Sequence, residues 1–218
     1  MKADLHIHTT FSNDGRIDPY EAVDLALERG LGCIAFADHN SFEAYDLIKD
    51  DGRVIVVPAE EVSSTEGHIL AYGIDSFIPS RLSIIDTIDA IHDAGGYAFA
   101  AHPYRWWSGL GEKLTLSNPF DGIEAANARS YLKDNRNAAA LAKRMGCPVS
   151  AGSDAHTPEG LGSGYLTLSD DLKSWEEVVA EMMSSPQKAT SSFRHLKSTV
   201  LYGYNSIRLW TSRGFKRM

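Results

Sequence analysis

At 218 residues, with 43% hydrophobic side chains and a formal charge of −8, the chain has enough apolar content for one sizeable core. No apolar run approaches the roughly 18 residues of a membrane helix, and the first strand pattern starts at residue 3, so neither a membrane span nor a signal peptide is expected and a cytoplasmic protein is. Cys33 and Cys147 lie in the apolar stretches LGCIAFA and MGCPVSA, as buried small hydrophobes do, and not in a disulfide framework.

The first element is ADLHIH (3–8), a strand whose alternation puts His6 and His8 on one face and Leu5 and Ile7 on the other. A helix pattern follows in PYEAVDLALERG, with Pro19 at its start and Gly30 as its stop. Strand 33–37, helix SFEAYDLIKDDG and strand 54–59 come next. EEVSSTEGHILAYGI then reads as a hairpin turning at Glu66-Gly67. Helix SIIDTIDAIHDAGG, strands 97–101 and 122–125, helix LKDNRNAAALAKRMG, strands 148–152 and 165–168, and helix DLKSWEEVVAEMMSS complete the order. Helices stop at Gly30, Gly52, Gly95 and Gly146 just before the next strand, the punctuation of repeated β-α units. The expectation is one α/β domain over residues 1–218, built on a parallel sheet or barrel.

Charge is uneven along this domain. From residue 182 onward there are seven Lys and Arg and no Asp or Glu, so the first 181 residues carry −15, the chain's −8 less those seven. The segment 182–218 also holds Val200, Leu201, Tyr204, Ile207, Leu209, Trp210 and Phe215, so it is expected to pack on the acidic body.

The polar residues beside the strand ends carry the functional signal. They are His6, His8 and Asp14, then His39, then Glu60, Glu61 and His68, then His102, then Asp154 and His156. In parallel α/β folds the site lies outside the carboxyl ends of the strands. Six imidazoles and several carboxylates meeting there are too many ionisable groups to bury without a cation. A polynuclear centre of Zn, Mn or Fe accounts for them, since imidazole and carboxylate are ligands of these ions. His92, inside a helix, and His195, in the basic segment, read as structural.

The motifs DLHIHT, ADHN, PAEEVSSTEGHILAYG, AAHP and GSDAH resemble, in order, those of the PHP (polymerase and histidinol phosphatase) family, over residues 3 to about 170. The resemblance implies an irregular, seven-stranded, TIM-like (β/α)7 barrel with two or three divalent metal ions at the C-terminal ends of its strands. It also implies a ligand set. His6, His8, Glu61 and Asp154 would hold one ion; Glu61 would bridge to a second, held by His68 and His102; Asp14, His39 and His156 would hold a third. The local sequence does not separate Glu61 from Glu60; the glutamate before the Val-Ser pair is the one that aligns. Many members have His where this chain has Asp14, which implies a weaker third site or one preferring a harder ion such as Mn²⁺. Nucleotide-hydrolysing relatives often carry an inserted domain, for which the short connections here leave no room.

The implied activity is a metal-dependent phosphoric ester hydrolase, with Glu61 and Asp154 as catalytic carboxylates and a metal-activated hydroxide as nucleophile. Arg105 and Arg129 follow strand ends and are expected to fork onto phosphate oxygens. Asp4 and Asp38 flank ligands and are expected to orient imidazoles. Trp106 and Trp107 offer a stacking face to an organic leaving group. A small phosphorylated molecule is the expected substrate. A nuclease or nucleotide phosphodiesterase is the second reading, supported by the basic segment and the tryptophans, and a non-catalytic metal-binding module is the third.

Overall fold

The computed structural model describes residues 1–184 and 188–191. β1 (Lys2–Ile7) is buried from Ala3 onward. α1 (Pro19–Glu28) begins where the Asp18 side chain accepts hydrogen bonds from the amides of Tyr20 and Glu21, satisfying two of the donors that a helix start leaves open. In chain order there follow β2 (Cys33–Phe36), α2 (Glu43–Ile48), β3 (Ile55–Val57), β4 (Ala59–Ser63), β5 (His68–Tyr72) and α3 (Ile84–Asp93). Then come β6 (Tyr97–Ala100), α4 (Gly111–Ser117), β7 (Gly122–Asn127), α5 (Leu132–Met145), β8 (Val149–Gly152), β9 (Gly164–Thr167), α6 (Trp175–Ser184) and β10 (Lys188–Ser191). The four stop glycines all take positive φ, between 64° and 76°, a conformation open to glycine at little steric cost.

The strands form two mixed sheets, ordered β10-β9-β1-β2-β3 and β4-β5-β6-β7-β8. In place of one seven-stranded barrel, the described residues therefore carry ten strands in two sheets. The reason is visible in the connections. β4 and β5 are joined by a tight turn and pair antiparallel, and β9 turns back antiparallel on β1 after an 11-residue link without an α-helix. The β-α alternation breaks at both places. Isolated bridges, Ile7 with Ala155 and His39 with Glu61, bring the two sheets together where the parallel strands end.

Between the sheets lie Leu5, Val57, Tyr72 and Phe99 among alanines, and the Tyr72 hydroxyl donates to the carbonyl of Leu5 at 3.0 Å. Outside, α3 and α5 cover the second sheet through Ile88, Ile91 and Leu141. α1 and α2 cover the first through Val23, Ala26 and Ile48. Each fully buried Leu, Ile or Phe adds about 1.5–3 kcal/mol of apolar transfer energy. The small residues matter as much: a Cβ on Gly152 would lie 2.3 Å from the Cβ of His6. Glycine there lets β8 press onto β1 directly beneath the histidines.

Neither α4 nor β10 has a counterpart in the sequence reading. Of the basic segment, residues 182–184 end α6, with Met182 buried in the core, and 188–191 form β10, which pairs with β9; the apolar residues from Val200 to Phe215 on which its expected packing rests lie outside the described residues. Both cysteines are free, Cys33 buried and Cys147 half-buried. Among the described residues no helix is long and apolar enough to cross a membrane.

Candidate metal centre

His6 sits on β1 and His8 just past its end, Glu61 on β4, and His68 at the start of β5. His39, His102, Asp154 and His156 follow β2, β6 and β8, and Asp14 lies in the loop after β1. All nine side chains meet at one end of the two sheets. Nε2 of His6 and Nε2 of His8 are 3.1 Å apart, and each is 3.2 Å from Oε2 of Glu61. Nδ1 of His39 approaches the same oxygen at 3.2 Å. The other carboxylate oxygen of Glu61 lies 2.9 Å from Nδ1 of His68 and 2.8 Å from Nε2 of His102. One carboxylate thus presents its two oxygens to two separate sets of imidazoles.

Asp154 Oδ1 lies 3.4 Å from Nε2 of His8 and 3.4 Å from Nδ1 of His156. Asp14 reaches His156 Nε2 at 3.2 Å and His39 Nε2 at 4.0 Å. Glu60 points the other way, as the strand period requires, and accepts from the Ile78 amide at 3.0 Å.

The hydrogen bonds behind the histidines test whether this cluster suits a cation. Nδ1 of His6 is 2.8 Å from Glu124, which can only accept, so that nitrogen carries the proton. Ser12 Oγ gives its one hydrogen to Asp38 at 2.8 Å. It must therefore accept from Nδ1 of His8 at 3.1 Å. Both rings then aim bare Nε2 lone pairs at the same point, beside a carboxylate oxygen. Such an array repels itself unless a cation sits in it, and hard or borderline divalent ions suit its N and O donors. Asp14 Oδ1 and His102 Nδ1 are, in addition, buried without a hydrogen-bond partner. The residues fit the metals.

The local charges agree. Burial would raise the pKa of Glu61, but His68, His6 and His39 outweigh it and hold the group well below the usual range. Burial likewise opposes Asp154, and Arg129 and Arg105 outweigh it. Both carboxylates are ionised. Burial, then Arg105, lowers His102 to about 4, and burial, then Arg129, lowers His156 to about 4, so both keep lone pairs at neutral pH. Burial would lower His8 too, but Asp154 and Glu61 push it up to about 9, as suits a position that draws positive charge. Strain accompanies the charge: His102 and Asp154 have φ of 28° and 53°, and such conformations each cost about 1–3 kcal/mol.

Arg105 and Arg129 both converge on Asp154. Nη2 of Arg105 donates to Asp154 at 2.8 Å, to Asn127 at 2.7 Å and to Ser130 at 3.2 Å. Nη1 of Arg129 donates to Asp154 at 2.9 Å and lies 2.6 and 2.7 Å from the ring nitrogens of His156. Both arginines, with Trp107, line the cleft over the cluster, which encloses about 260 Å³ including its open mouth. Trp106 is exposed. Asp4 and Asp38 depart from expectation, since neither touches an imidazole. Asp4 accepts from the Ser153 and Gly162 amides. Asp38 binds Thr9 and Ser12, and reaches His8 only through Ser12.

Glu124 and Asn127, which the sequence reading passes over, stand at the centre of this network. The one clue was an acid inside GIEAAN, a strand buried at every position.

Comparison with known proteins fits this geometry. The PHP domain family matches residues 4–79 and the PHP-associated family residues 133–183. An uncharacterized protein of Methanocaldococcus jannaschii is 36% identical over 143 residues, 59% of this chain and 82% of that one. The chain belongs to the PHP family. Two further relatives carry named activities. A 3′,5′-nucleoside bisphosphate phosphatase of Chromobacterium violaceum is 35% identical over 111 residues, 46% of this chain and 39% of that one. A 5′-3′ exoribonuclease of Haemophilus influenzae is 26% identical over 134 residues, 57% of this chain and 44% of that one. The chain thus spans less than half the length of either enzyme. In structure, a two-domain protein of Bacteroides vulgatus containing a predicted PHP-like metal-dependent phosphoesterase superposes with a TM-score of 0.73 at 19% identity, covering 88% of this chain and 64% of that one.

Proposed function

We propose that this PHP-family chain hydrolyses a small phosphate monoester, using two metals shared across Glu61 and a third at the rim. The observation that carries the reading is one cleft walled together by metal-ligand candidates, Asp14, His39, Glu61, His68, Asp154 and His156, and by two arginines, Arg105 and Arg129. Imidazoles and carboxylates that can hold cations, with guanidinium groups beside them, suit a phosphate group and its ester oxygen.

His6, His8, Glu61 and Asp154 would hold one ion, Glu61, His68 and His102 the second, and Asp14, His39 and His156 the third. Bound Mn, Zn or Fe supplies acidified water and neutralises charge on phosphoryl oxygens. The chain's own part is to hold its donors in place. Ser12 and Glu124 fix the tautomers of His8 and His6, while Arg105 and Arg129 keep Asp154 ionised. Arg129, at the cleft wall, would meet a phosphate oxygen, and Arg105 would support it from the same wall.

The phosphatase relative favours a monoester and the exoribonuclease relative favours a nucleic acid. Turnover of a chromogenic phosphomonoester and its diester by Mn²⁺-loaded protein separates the two. The monoester should be cleaved at least about tenfold faster, a difference of about 1.4 kcal/mol in barrier. A faster diester would move the assignment to a nuclease or phosphodiesterase.

A further inference from the structure

We infer that Glu124 is the positioning residue of this centre, one carboxylate that sets His6, His102 and Asn127 together. The inference rests on the metal-binding reading and adds to it a residue that belongs to none of the three ligand sets. Glu124 lies within β7 and is 1% exposed. Its Oε1 faces Nδ1 of His6 at 2.8 Å and accepts from the Asn127 side-chain amide at 3.0 Å. Its Oε2 accepts from the backbone amide of His102 at 2.8 Å, the residue whose φ is 28°.

Each contact acts on a different part of the site. The first places the His6 proton on Nδ1 and so leaves Nε2 bare. The second orients Asn127, whose other amide hydrogen goes to Asp154 at 3.0 Å and whose oxygen accepts from Arg105 at 2.7 Å. The third holds the strained turn that swings His102 toward Glu61.

All three partners are donors, and this decides which side chain the position accepts. A carboxylate offers only acceptors. A glutamine of the same shape has one oxygen and one NH₂ group. Either His6 and Asn127 or the His102 amide would then face a donor, and the Nδ1–H tautomer of His6 would lose its anchor.

The test compares wild type, Glu124→Gln and Glu60→Gln, each stripped by chelator and titrated with Zn²⁺ against a chromophoric chelator. Glu60→Gln is the control, the same change at a buried acid that faces away from the centre. Glu124→Gln should bind Zn²⁺ about 10–100-fold more weakly and alter the visible spectrum of the Co²⁺-loaded protein, while Glu60→Gln matches wild type. Wild-type affinity and an unchanged Co²⁺ spectrum in Glu124→Gln would overturn the inference and leave the metal reading standing. A wild type that takes up no metal would overturn both. Should Glu124→Gln fail to fold, nitrogen NMR of Zn²⁺-loaded wild type decides: a proton on Nδ1 of His6 supports the inference, and a bare Nδ1 overturns it.

Discussion

His6, His8 and Glu61 lie on the floor of the cleft with side chains 1% exposed or less, whereas Asp14, His39 and His156 at its rim keep 23, 13 and 12% of theirs open. The two groups also differ in what stands behind them. On the floor, the nitrogen facing away from the centre is fixed, by Glu124 for His6 and by Ser12 and Asp38 for His8. At the rim, Asp14 Oδ1 has no hydrogen-bond partner, and the ring of His39 has only ion-pair approaches, at 3.2 Å to Glu61 and 4.0 Å to Asp14. Donors locked by a second layer lose little freedom when an ion binds, and loosely held donors lose more. The floor should therefore bind tightly, and the rim should hold its ion weakly.

The largest expected effect is at the floor. Glu61→Gln weakens oxygens that face two sets of imidazoles, so metal affinity should fall by more than about 100-fold, and metal content should fall to near zero on dialysis. Glu60→Gln should keep its metal. Equal losses in the two variants would mean that Glu61 is not shared between ions. Next comes the rim: Asp14→Ala should remove about one equivalent of metal and leave the tighter ones, read by elemental analysis after dialysis. If all metal leaves together, floor and rim are one cooperative unit and the contrast between them fails.

The floor was more legible in the sequence than its supports. His6 and His8 share a strand face by simple alternation, and the remaining ligands follow strand ends, where α/β sites form. Choosing Glu61 over Glu60 needed the family resemblance. Glu124 stayed hidden because its role depends on β7 lying beside β6 and within reach of β1, a long-range contact that local patterns do not encode. The barrel expectation went astray for a related reason. The hairpin was recognised, but β10 and the antiparallel return of β9 depend on sheet edges supplied by distant strands.

Smaller effects sharpen the contrast further. Arg129→Ala should lower kcat/KM on a phosphomonoester by a factor equivalent to about 1.5–3 kcal/mol, the worth of a charge-assisted contact, and cost far less metal than Glu61→Gln, since Arg105 still donates to Asp154. Metal lost in parallel would show that Arg129 serves the centre through Asp154 instead of meeting substrate. The smallest effect lies on the far face of β4. Burial pushes Glu60 up to about 8, above its ordinary 4.5, so the fold prefers the protonated acid. That contribution is complete below about pH 4.5 and is lost as pH rises toward about 8. Glu60→Gln can still accept from Ile78 and does not titrate. In metal-free protein its melting temperature should match wild type near pH 4.5 and exceed it by a margin that grows toward pH 8. A margin independent of pH would mean that Glu60 is ionised throughout.

The most direct measurement is a metal count during stepwise reloading of chelated wild-type protein with Mn²⁺, Zn²⁺ and Fe²⁺, followed by elemental analysis. At least two equivalents per chain should be retained through dialysis, with a further weaker equivalent visible only while free metal is present. Retention of less than about half an equivalent with every ion would contradict a shared metal centre on Glu61.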